Sequence, residues 1–544
     1  MVSGAPTRVS DNLMDNKNKF DVIVVGAGFA GMYALYKLRK LGLQVKVYEA
    51  GSGVGGTWFW NRYPGARCDV NSLEYSYQFS DELQQEWNWS ERYSGQPEIL
   101  EYANHVADRF ELIKDIQFNT RVLELDYNEN TNRWSGKTDQ DDRFDTQFCV
   151  MATGCLSKHN VPDIEGLDRF QGELLHTGKW PHTPVDFEGK SVGVIGTGSS
   201  GIQSIPIIAE QASSLTVFQR TPNFSIPAHN APMDKSHEAA VKRNYREFRK
   251  ENALQRAAIR MTPNPESALA VSQIERDTVF EKNWLKGGLP FSASFSDIGV
   301  SLDANATAVD FVHRKIKGLV DDPEVAEKLC PKTVIGCKRL CVDTGYYETF
   351  NRANVSLVDI KKHPIKCVTE SGVSTSTADH KFDALVLATG FDAMTGAILS
   401  IDIKGQGKQS LAKRWEAGPK NYLGLTINGF PNLFTITGPG SPSVLSNMIV
   451  AIEQHVDFLS ELLKFMQKNA KEKVEASLNA EDDWVELVNN IADQTLYTSG
   501  CNSWYIGANI PGKPSVFMPY IGFPTYVQKC KEIVSENYRG FEFS

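Results

Sequence analysis

The strongest constraint on the fold is a strand-turn-helix unit that occurs twice in the chain. In the first copy the apolar run 20–25 leads into Gly26, Gly28 and Gly31, and a helix-compatible segment begins at Met32. The first glycine permits a tight turn, the second lets a pyrophosphate approach the backbone, and the third lets the helix pack on the strand. The free N–H groups at the helix start then face the phosphates. The pattern predicts a dinucleotide-binding Rossmann unit.

The strand that follows this loop indicates which nucleotide is bound there. The run 45–48 ends in Glu49, which lies 18 residues after Gly31. At that distance a carboxylate can accept hydrogen bonds from both hydroxyls of an adenosine ribose. The competing interpretation is that Glu49 is only a solvated strand end.

The second copy repeats the design with a basic residue in place of the acid. Strand 191–195 leads into the loop, strand 215–218 follows it, and Arg220 lies 19 residues after the last loop glycine. A guanidinium with the neighbouring Thr221 hydroxyl would pair with a 2′-phosphate that a carboxylate would repel. The two copies therefore predict FAD at the first site and NADPH at the second, unless Arg220 only pairs with a surface acid. The predicted NADP-binding residues of the loop are Gly196, Thr197, Gly198, Ser199, Ser200 and Gly201.

Composition sets further limits on function. The chain has 544 residues with 57 basic and 66 acidic side chains, a mildly negative balance that gives no electrostatic case for nucleic acid or an anionic membrane. Residues 1–19 are polar, so we expect no signal peptide and a loosely ordered N-terminus. No run is apolar and long enough to span a bilayer. We expect a cytoplasmic enzyme, and the sequence leaves its oligomeric state open.

The cysteines argue against one rival class of two-nucleotide protein. A flavin disulfide reductase needs a close dithiol beside the flavin, and no Cys-x-x-Cys or Cys-x-x-x-x-Cys pair occurs here. The ten histidines have no ligand spacing with the cysteines, so no metal site is predicted. We expect most of the cysteines to be small buried hydrophobes. They are Cys68, Cys149, Cys155, Cys330, Cys337, Cys341, Cys367, Cys501 and Cys530.

Towards the C-terminus, a glycine- and proline-rich loop at 438–443 precedes an amphipathic helix. The helix start is a candidate flavin contact, because its partial positive charge would stabilise a reduced anionic flavin. The apolar stripe of this helix is predicted to be core rather than site. Its members are Ile452, Val456, Leu459, Leu463 and Met466.

Between the two nucleotide loops lies the pattern Phe-x-Gly-x-x-x-His-Thr-x-x-Trp-Pro at 170–181. It resembles the signature of the type I Baeyer–Villiger monooxygenases, and the other motifs are most similar to the phenylacetone and steroid monooxygenase branch of that family. The resemblance covers nearly the whole chain from residue 20. The supporting strings lie at 55–58, 60–65, 218–222, 438–448 and 503–505. The signature residues are Phe170, Gly172, His176, Thr177 and Trp180.

The resemblance implies an activity and two cofactors. A protein of this family uses FAD, NADPH and O2 to convert a ketone to an ester or lactone through a C4a-peroxyflavin. It implies that Arg339 contacts the peroxide and the substrate carbonyl, that Asp69 holds Arg339, and that His176 transmits domain rotation. Lys338 would be a second ligand of the 2′-phosphate, and Trp504 would lie on a loop that closes over the nicotinamide.

The resemblance also implies which residues line the flavin and the substrate pocket. The flavin would be lined by Gly56, Thr57, Trp58, Trp60, Asp69 and Tyr75. The ketone pocket would be shaped by Pro442, Val444, Leu445 and Met448. Without the surrounding strings, each of these residues would be interpreted as a surface charge or a core aromatic.

The predicted fold class is α/β, with two Rossmann-like dinucleotide-binding domains and a helical insertion in the NADPH domain. Two apolar runs, 148–154 and 385–391, both contain Ala-Thr-Gly, and in the resemblance these are the crossings between the nucleotide domains. The segment 228–330 is charged and helix-periodic, for example at 238–256 and 307–329. The predicted units are 20–154 with 386–544 for FAD, 155–227 with 335–385 for NADPH, and 228–334 for the insertion.

Two functions of other classes stay open at this point. A flavin oxidase or reductase without oxygen insertion would keep both loops but would not need the 170–181 signature. A non-catalytic redox sensor or binding protein would load FAD and show no ketone-dependent NADPH turnover.

Overall fold

A computed structural model of the protein describes residues 18–498, 501–513 and 521–544. Strand β1 begins at Lys19, so the last residue of the segment 1–19 that was predicted to be loosely ordered belongs to a strand. The rest of that prediction, residues 1–17, lies outside the described residues. In the described ranges no helix has the length and apolarity to cross a membrane.

The strands belong to two large sheets and three small ones. In chain order they are β1 (Lys19–Val25), β2 (Val45–Tyr48), β3 (Ile116–Gln117), β4 (Val122–Asn128), β5 (Arg133–Thr138), β6 (Arg143–Met151), β7 (Glu173–His176), β8 (Ser191–Ile195), β9 (Ser214–Gln219), β10 (Ser225–Pro227), β11 (Cys341–Asp343), β12 (Val355–Asp359), β13 (Ile365–Thr369), β14 (Gly372–Thr375), β15 (Asp379–Lys381), β16 (Ala384–Leu387), β17 (Asp402–Lys404), β18 (Leu433–Thr435), β19 (Val474–Ala476) and β20 (Phe541–Phe543).

The α-helices pack on these sheets or form a separate lobe. They are α1 (Phe29–Lys40), α2 (Thr57–Trp60), α3 (Asp81–Glu86), α4 (Gln96–Arg109), α5 (Ser199–Gln211), α6 (Lys235–Arg243), α7 (Tyr245–Ala253), α8 (Gln273–Lys286), α9 (Leu302–Leu319), α10 (Pro323–Leu329), α11 (Leu411–Arg414), α12 (Met448–Lys468), α13 (Leu478–Asp493) and α14 (Phe523–Ser535).

The first large sheet contains the first nucleotide unit. Its order is β17-β4-β5-β6-β1-β2-β3, and β18 also pairs with β6. Strand β1 is parallel to β2 and β6, and Val22, Ile23 and Val24 at its centre are fully buried. A strand covered on both faces has to be apolar throughout, which explains the continuous hydrophobic run. The chain leaves this sheet after β6 and returns to it with β17 and β18.

The second large sheet is parallel throughout, in the order β12-β9-β8-β16-β7. Strands β8 and β9 have the predicted bounds to within one residue. The runs predicted at 148–154 and 385–391 are strands only as far as Met151 and Leu387, because each Ala-Thr-Gly is a turn after its strand. The division into domains stays a prediction, as does its boundary at 385/386, which would cut β16.

A helical lobe lies between β10 and β11, which pair with each other in parallel. It comprises α6 to α10 and contains no strand among its residues, as the periodicity predicts. Each long periodic stretch, however, consists of two helices. The first breaks at Asn244, and the second ends at Leu319 before Asp322 caps a new helix that starts with Pro323. A proline at a first helical position favours a new start over continuation.

Helix α12, in the C-terminal part of the chain, is the long amphipathic helix expected from the sequence. All five apolar positions of its stripe are buried, and it packs against α1 of the first nucleotide unit. The three-stranded sheet β13-β14-β15 was not anticipated. Its strands have only three to five residues and alternate weakly, so periodicity does not identify them.

Candidate functional site

The first nucleotide loop has a backbone that only glycine tolerates. Gly26 has a φ of +104°, and a Cβ there would lie 2.6 Å from the carbonyl oxygen of Ala152. A Cβ on Gly31 would overlap the carbonyl oxygen of Gly26. Ala152 belongs to the first Ala-Thr-Gly segment, so that segment packs directly against the loop. These contacts place the start of α1 directly over the end of β1.

The second glycine of this loop faces a glycine from another segment. A Cβ on Gly56 would lie 2.8 Å from the Cα of Gly28, and a Cβ on Gly28 would lie 3.3 Å from Gly56. The two bare backbones form a cradle that any side chain would fill. Thr57, which begins α2, is exposed beside it. This is the geometry that a pyrophosphate between two backbones requires, so the site fits FAD.

Glu49 lies at the end of β2 beneath this loop and is 5% exposed. Its carboxylate accepts hydrogen bonds from the Ala27 amide at 2.6 Å and from the Gly51 amide at 2.7 Å. Burial raises the pKa of Glu49, and these amide hydrogen bonds oppose the shift. The interpretation of Glu49 as a solvated strand end is therefore wrong, and the residue holds the nucleotide loop.

The second nucleotide loop has the same backbone construction. Gly196 has a φ of +112°, and a Cβ there would overlap the carbonyl oxygen of Ala388, in the second Ala-Thr-Gly turn. A Cβ on Gly201 would overlap the carbonyl oxygen of Gly196. No atom lies within 4 Å of a Cβ on Gly198, so the space above the loop is open for phosphates. The Thr197 hydroxyl donates to the Thr221 carbonyl at 3.2 Å, which ties the loop to β9.

Beyond β9, basic side chains converge near the position expected for a 2′-phosphate. Arg220 is exposed, and the pKa of Lys338 is lowered by burial and then by the charges of Arg220 and Lys361. The charges of Arg220 and Lys361 therefore act on Lys338, so the three cations lie near one another. Lys361 was not expected from the sequence. Lys361 follows β12, in which Asp359 pairs with Gln219, the neighbour of Arg220. The signal that could have identified it is the basic pair at 361–362, directly after a strand that lies beside β9.

Arg339 is held by contacts on three sides. Its Nε and Nη2 donate to the Asp69 carboxylate at 2.9 and 2.8 Å, and its Nη1 donates to the Val444 carbonyl at 2.7 Å. Tyr505 lies close enough to interact with it electrostatically. Burial alone would lower the pKa of Arg339, but Asp69 and Tyr505 outweigh it, so the pKa lies above its ordinary value. The guanidinium is a fixed, permanent charge.

A cavity of about 440 Å³ adjoins Arg339. Pro442, Leu445 and Tyr505 line it on one side, and the first two are among the four residues predicted to shape a ketone pocket. Much of the remaining wall comes from the helical lobe and is apolar. The apolar residues that the lobe contributes to the wall are Ile259, Met261, Leu289, Phe291, Phe295 and Ile298.

The other two predicted pocket residues lie beside this cavity and do not line it. Val444 supplies the carbonyl that accepts from Arg339. Val444 and Met448 pack in a small apolar cluster with Cys155, Tyr505 and Trp504. The lobe residues were missed because their apolar positions resemble ordinary helix cores, and only the folded chain brings them to Arg339.

The loop before α12 is fixed by a buried histidine that the sequence did not single out. The Thr437 amide donates to Nδ1 of His455 at 2.9 Å, and Nε2 of His455 donates to the Tyr526 hydroxyl at 3.0 Å. The Tyr526 hydroxyl donates in turn to the Leu423 carbonyl. Burial lowers the pKa of His455 to about 3, which keeps it neutral and able to accept.

The signature residues join the second nucleotide loop to both Ala-Thr-Gly crossings. Nδ1 of His176 accepts from the Gly178 amide at 2.9 Å, so Nε2 carries the proton and donates to the Asn160 carbonyl at 3.1 Å, with the Thr389 hydroxyl 3.2 Å away. Thr177 contacts the Ser200 hydroxyl at 3.1 Å. His176 therefore contacts the segment after the first crossing and the second crossing itself, and Thr177 contacts the loop.

The remaining signature residues have packing roles. A Cβ on Gly172 would lie 2.5 Å from the ring of Phe170 and 2.6 Å from the Asp383 carbonyl, so glycine is required there. Trp180 is buried with its ring centroid 6.2 Å from that of Phe187. These residues fix the strand that carries His176.

The predicted flavin-lining aromatics lie together on one side of the first unit. Trp58 is buried and its Nε1 donates to the Tyr75 hydroxyl at 3.2 Å. Trp60, two residues on, contacts the ring of His182, which follows the signature. Trp504 is partly buried, with its ring centroid 4.5 Å from that of Tyr505. Trp58, Trp60, Tyr75 and Trp504 do not line the 440 Å³ cavity, whereas Tyr505 does.

The cysteines follow the sequence expectation except for one pair. Seven are free and six of these are buried. Cys337 and Cys501 form a disulfide across 164 residues of chain. Their separation in sequence left no spacing pattern by which the pair could be predicted.

The chain is similar to known proteins over most of its length. A family model for pyridine nucleotide-disulphide oxidoreductases matches residues 20–284. A Baeyer–Villiger monooxygenase of Pseudooceanicola batsensis is 41% identical, with 95% of each chain covered. The chain belongs to the Baeyer–Villiger monooxygenase family. A phenazine N-monooxygenase of Lysobacter antibioticus is also 41% identical, over 97% of this chain and 98% of that protein.

Solved structures of the family superpose over almost the whole chain. An oxidised steroid monooxygenase bound to NADP is 50% identical with a TM-score of 0.93, covering 96% of this chain and 99% of that one. A structure of OTEMO in complex with FAD and NADP is 39% identical with a TM-score of 0.93 at the same coverage. The Baeyer–Villiger enzyme described here is an NADPH-dependent flavin monooxygenase of ketones, with FAD and NADPH as its cofactors.

Proposed function

We propose that this enzyme uses Arg339 as its catalytic cation to oxidise bulky, hydrophobic ketones with O2. The observation that carries the proposal is the guanidinium held by Asp69 at the wall of an apolar cavity. FAD would lie on the Gly28–Gly56 cradle, and NADPH would lie on the loop 196–201 with its 2′-phosphate among Arg220, Lys338 and Lys361. When bound and reduced, the flavin supplies activation of O2 and delivery of one oxygen atom.

Arg339 would stabilise the negative charge that develops on the ketone oxygen during attack. A guanidinium has five N–H donors, and Asp69 and Val444 accept from three of its nitrogens. Because these partners fix the group before substrate arrives, little reorganisation remains for the reaction itself. Asp69 is the positioning residue, and its carboxylate also balances the charge of Arg339 in the free enzyme.

The test is an Arg339→Ala variant loaded with FAD. We expect it to accept hydride from NADPH, more slowly, and to lose ester formation by about a hundredfold or more, as when a preorganised charge at an oxyanion is removed. Arg339→Lys should recover little, because the planar fork that matches Asp69 is lost. Asp69→Asn should be intermediate. A normal ester yield from Arg339→Ala would contradict the proposed role.

The cavity supports a preference for large ketones. The lobe presents Phe291, Phe295 and Ile298 to it, and burying apolar substrate surface contributes roughly 25 cal/mol per Å². We expect kcat/KM to rise from small cycloalkanones through phenylacetone to progesterone, measured by product mass and NADPH use. The 41% identity to an N-monooxygenase supports a second candidate, oxidation of an aromatic ring nitrogen, so phenazine belongs in the same panel. Preference for small ketones would contradict the size argument.

His176 would couple the two crossings without touching substrate. Its Nε2 donates to the Asn160 carbonyl near the Thr389 hydroxyl, so the ring contacts both polypeptide connections between the large sheets. We expect His176→Ala to keep its fold and FAD but to slow flavin reduction, measured by stopped-flow absorbance. Wild-type reduction and turnover would show that the histidine is only structural.

The location that we propose for this NADPH-dependent enzyme is the cytoplasm. Fractionation of cells that express the full-length protein would test this directly.

A further inference from the structure

The disulfide between Cys337 and Cys501 joins the two segments that meet at Arg339. Cys337 precedes Lys338 and Arg339 directly, and Cys501 precedes the short helical turn that carries Trp504 and Tyr505. The two Cα atoms lie 6.3 Å apart, within the ordinary range for a disulfide. One segment therefore carries the proposed catalytic cation, and the other carries the proposed nicotinamide contact.

The two segments form a closed ring. At one end they are joined by the disulfide, and at the other Arg339 and Tyr505 line the same cavity and interact electrostatically. Ser503 caps the turn by accepting from the Tyr505 amide at 3.1 Å. The ring places Tyr505 in the wall of the cavity beside Arg339. Any lengthening of the covalent end would give Tyr505 and Trp504 more freedom to move.

Besides the disulfide, the segment 501–513 is held by the packing of Trp504 and Tyr505 with Val444 and by polar contacts. The amides of Ile506, Gly507 and Ala508 donate to carbonyls within the segment itself. Its outward contacts include Asn509, which donates to the Phe391 carbonyl at 2.8 Å, and Lys513, which pairs with Asp392. Both of these lie C-terminal to the turn. Near Trp504 the disulfide is the covalent attachment to the rest of the site.

The two sulfur atoms differ in accessibility. Cys337 is 1% exposed, whereas Cys501 is partly exposed. A thiolate from solvent would attack Sγ of Cys501, the S–S bond would break, and Cys337 would leave as a thiolate and take up a proton. With a dithiol reductant, its second thiol displaces the Cys501 sulfur, which also takes up a proton. The enzyme then holds two thiols, and the reductant has become a disulfide.

We propose that the Cys337–Cys501 disulfide is a redox-sensitive tether that holds Trp504 and Tyr505 against the Arg339 segment, and that a dithiol opens it. Opening weakens NADPH binding and lowers the ester formed per NADPH consumed. The effect on ester rests on the proposed function, whereas the effect on the segment does not. In the cytoplasm most disulfides are transient or redox-sensing, which favours a switch over a permanent crosslink.

The experiment compares FAD-loaded enzyme before and after treatment with dithiothreitol and anaerobic desalting. Alkylation of the unfolded protein should modify the seven free cysteines before treatment and all nine cysteines afterwards. Hydrogen exchange of 501–513, measured without NADPH, should be faster in the reduced form. The KM for NADPH should rise roughly threefold to tenfold, the size expected when one or two side chains must be immobilised on binding. Ester per NADPH should fall.

Variants separate the tether from general effects of the reductant. Cys501→Ser should behave like the reduced enzyme and no longer respond to dithiothreitol, and Cys337→Ser should do the same. The matched control is Cys367→Ser, which removes a free and partly exposed thiol on β13 and should respond as the unchanged enzyme does.

Each result decides the proposal. Nine alkylated cysteines before treatment would overturn it, because the tether would not form. Equal hydrogen exchange and equal KM in the two redox forms would also overturn it and leave a structural crosslink only. Loss of ester in both forms would contradict the proposed function instead, and hydrogen exchange and NADPH binding would still decide the tether.

Discussion

The two nucleotide loops have the same backbone and opposite surroundings. In each, the first glycine has a positive φ and abuts an alanine carbonyl from an Ala-Thr-Gly turn, Ala152 for Gly26 and Ala388 for Gly196. In each, the third glycine lies against the first. The sharp strand-to-helix turn therefore does not distinguish the two sites. It is the general solution for bringing backbone N–H groups to a pyrophosphate.

The difference lies in the residue after the second strand of each unit. Glu49 is 5% exposed and accepts two hydrogen bonds from its own loop, so it is part of the packed structure. Arg220 is exposed and lies in a group of cations with Lys338 and Lys361. A buried acid suits a nucleotide that stays bound, and an exposed arginine with other cations beside it suits a phosphate that arrives from solvent. We therefore expect the first turn to hold a resident cofactor and the second turn an exchanging one.

The largest effects are expected from substitutions that disrupt the shared strand-to-helix turn in each copy. A Cβ on Gly31 or on Gly201 overlaps a backbone carbonyl that cannot move without the loop. We expect Gly31→Ala to abolish FAD loading and to destabilise the fold, measured by flavin absorbance and thermal unfolding. Gly201→Ala should keep FAD and lose reduction by NADPH.

The control for this pair is Gly318→Ala in α9, where a Cβ meets no atom within 4 Å. It should be neutral or slightly stabilising, because alanine restricts the unfolded chain. If Gly201→Ala lost FAD as well, the two loops would be one cooperative site, and the comparison would fail.

The sequence was sufficient to predict the two glycine turns, but it was not sufficient to predict the side chains that surround them. The spacing of Gly26, Gly28 and Gly31 predicts a local backbone, and a local backbone depends on few neighbours. Lys361 and Phe291, in contrast, reach their sites only through strand order and lobe packing, over long separations in the chain. The disulfide of Cys337 shows the same limit, because its partner is 164 residues away.

An intermediate effect tests the cationic group at the second loop. Arg220→Ala should raise the KM for NADPH about tenfold or more, because a hydrogen bond to a charged group contributes about 1.5–3 kcal/mol. The KM for NADH, which lacks the 2′-phosphate, should change little. Lys361→Ala should give a smaller loss, and Lys362→Ala is its matched control.

Equal losses for both dinucleotides, measured by steady-state kinetics, would show that Arg220 supports the loop rather than the phosphate. A loss in Lys362→Ala as large as that in Lys361→Ala would remove Lys361 from the site.

The smallest expected effect is a pH dependence that only the second site should have. The pKa of Lys338 is lowered, first by burial and then by Arg220 and Lys361. A 2′-phosphate binds the protonated form better, so the phosphate should raise this pKa, and NADPH affinity should fall as pH rises through the pKa of the free enzyme. At the pH where half of free Lys338 is deprotonated, binding should be about twofold weaker than at lower pH. The phosphate itself ionises near pH 6 and contributes nothing at higher pH.

Lys338→Arg keeps its charge and should remove the trend from binding measured by fluorescence titration. FAD retention should not follow this trend, since Glu49 would titrate elsewhere, and a slope that persists in Lys338→Arg would assign the proton to another group.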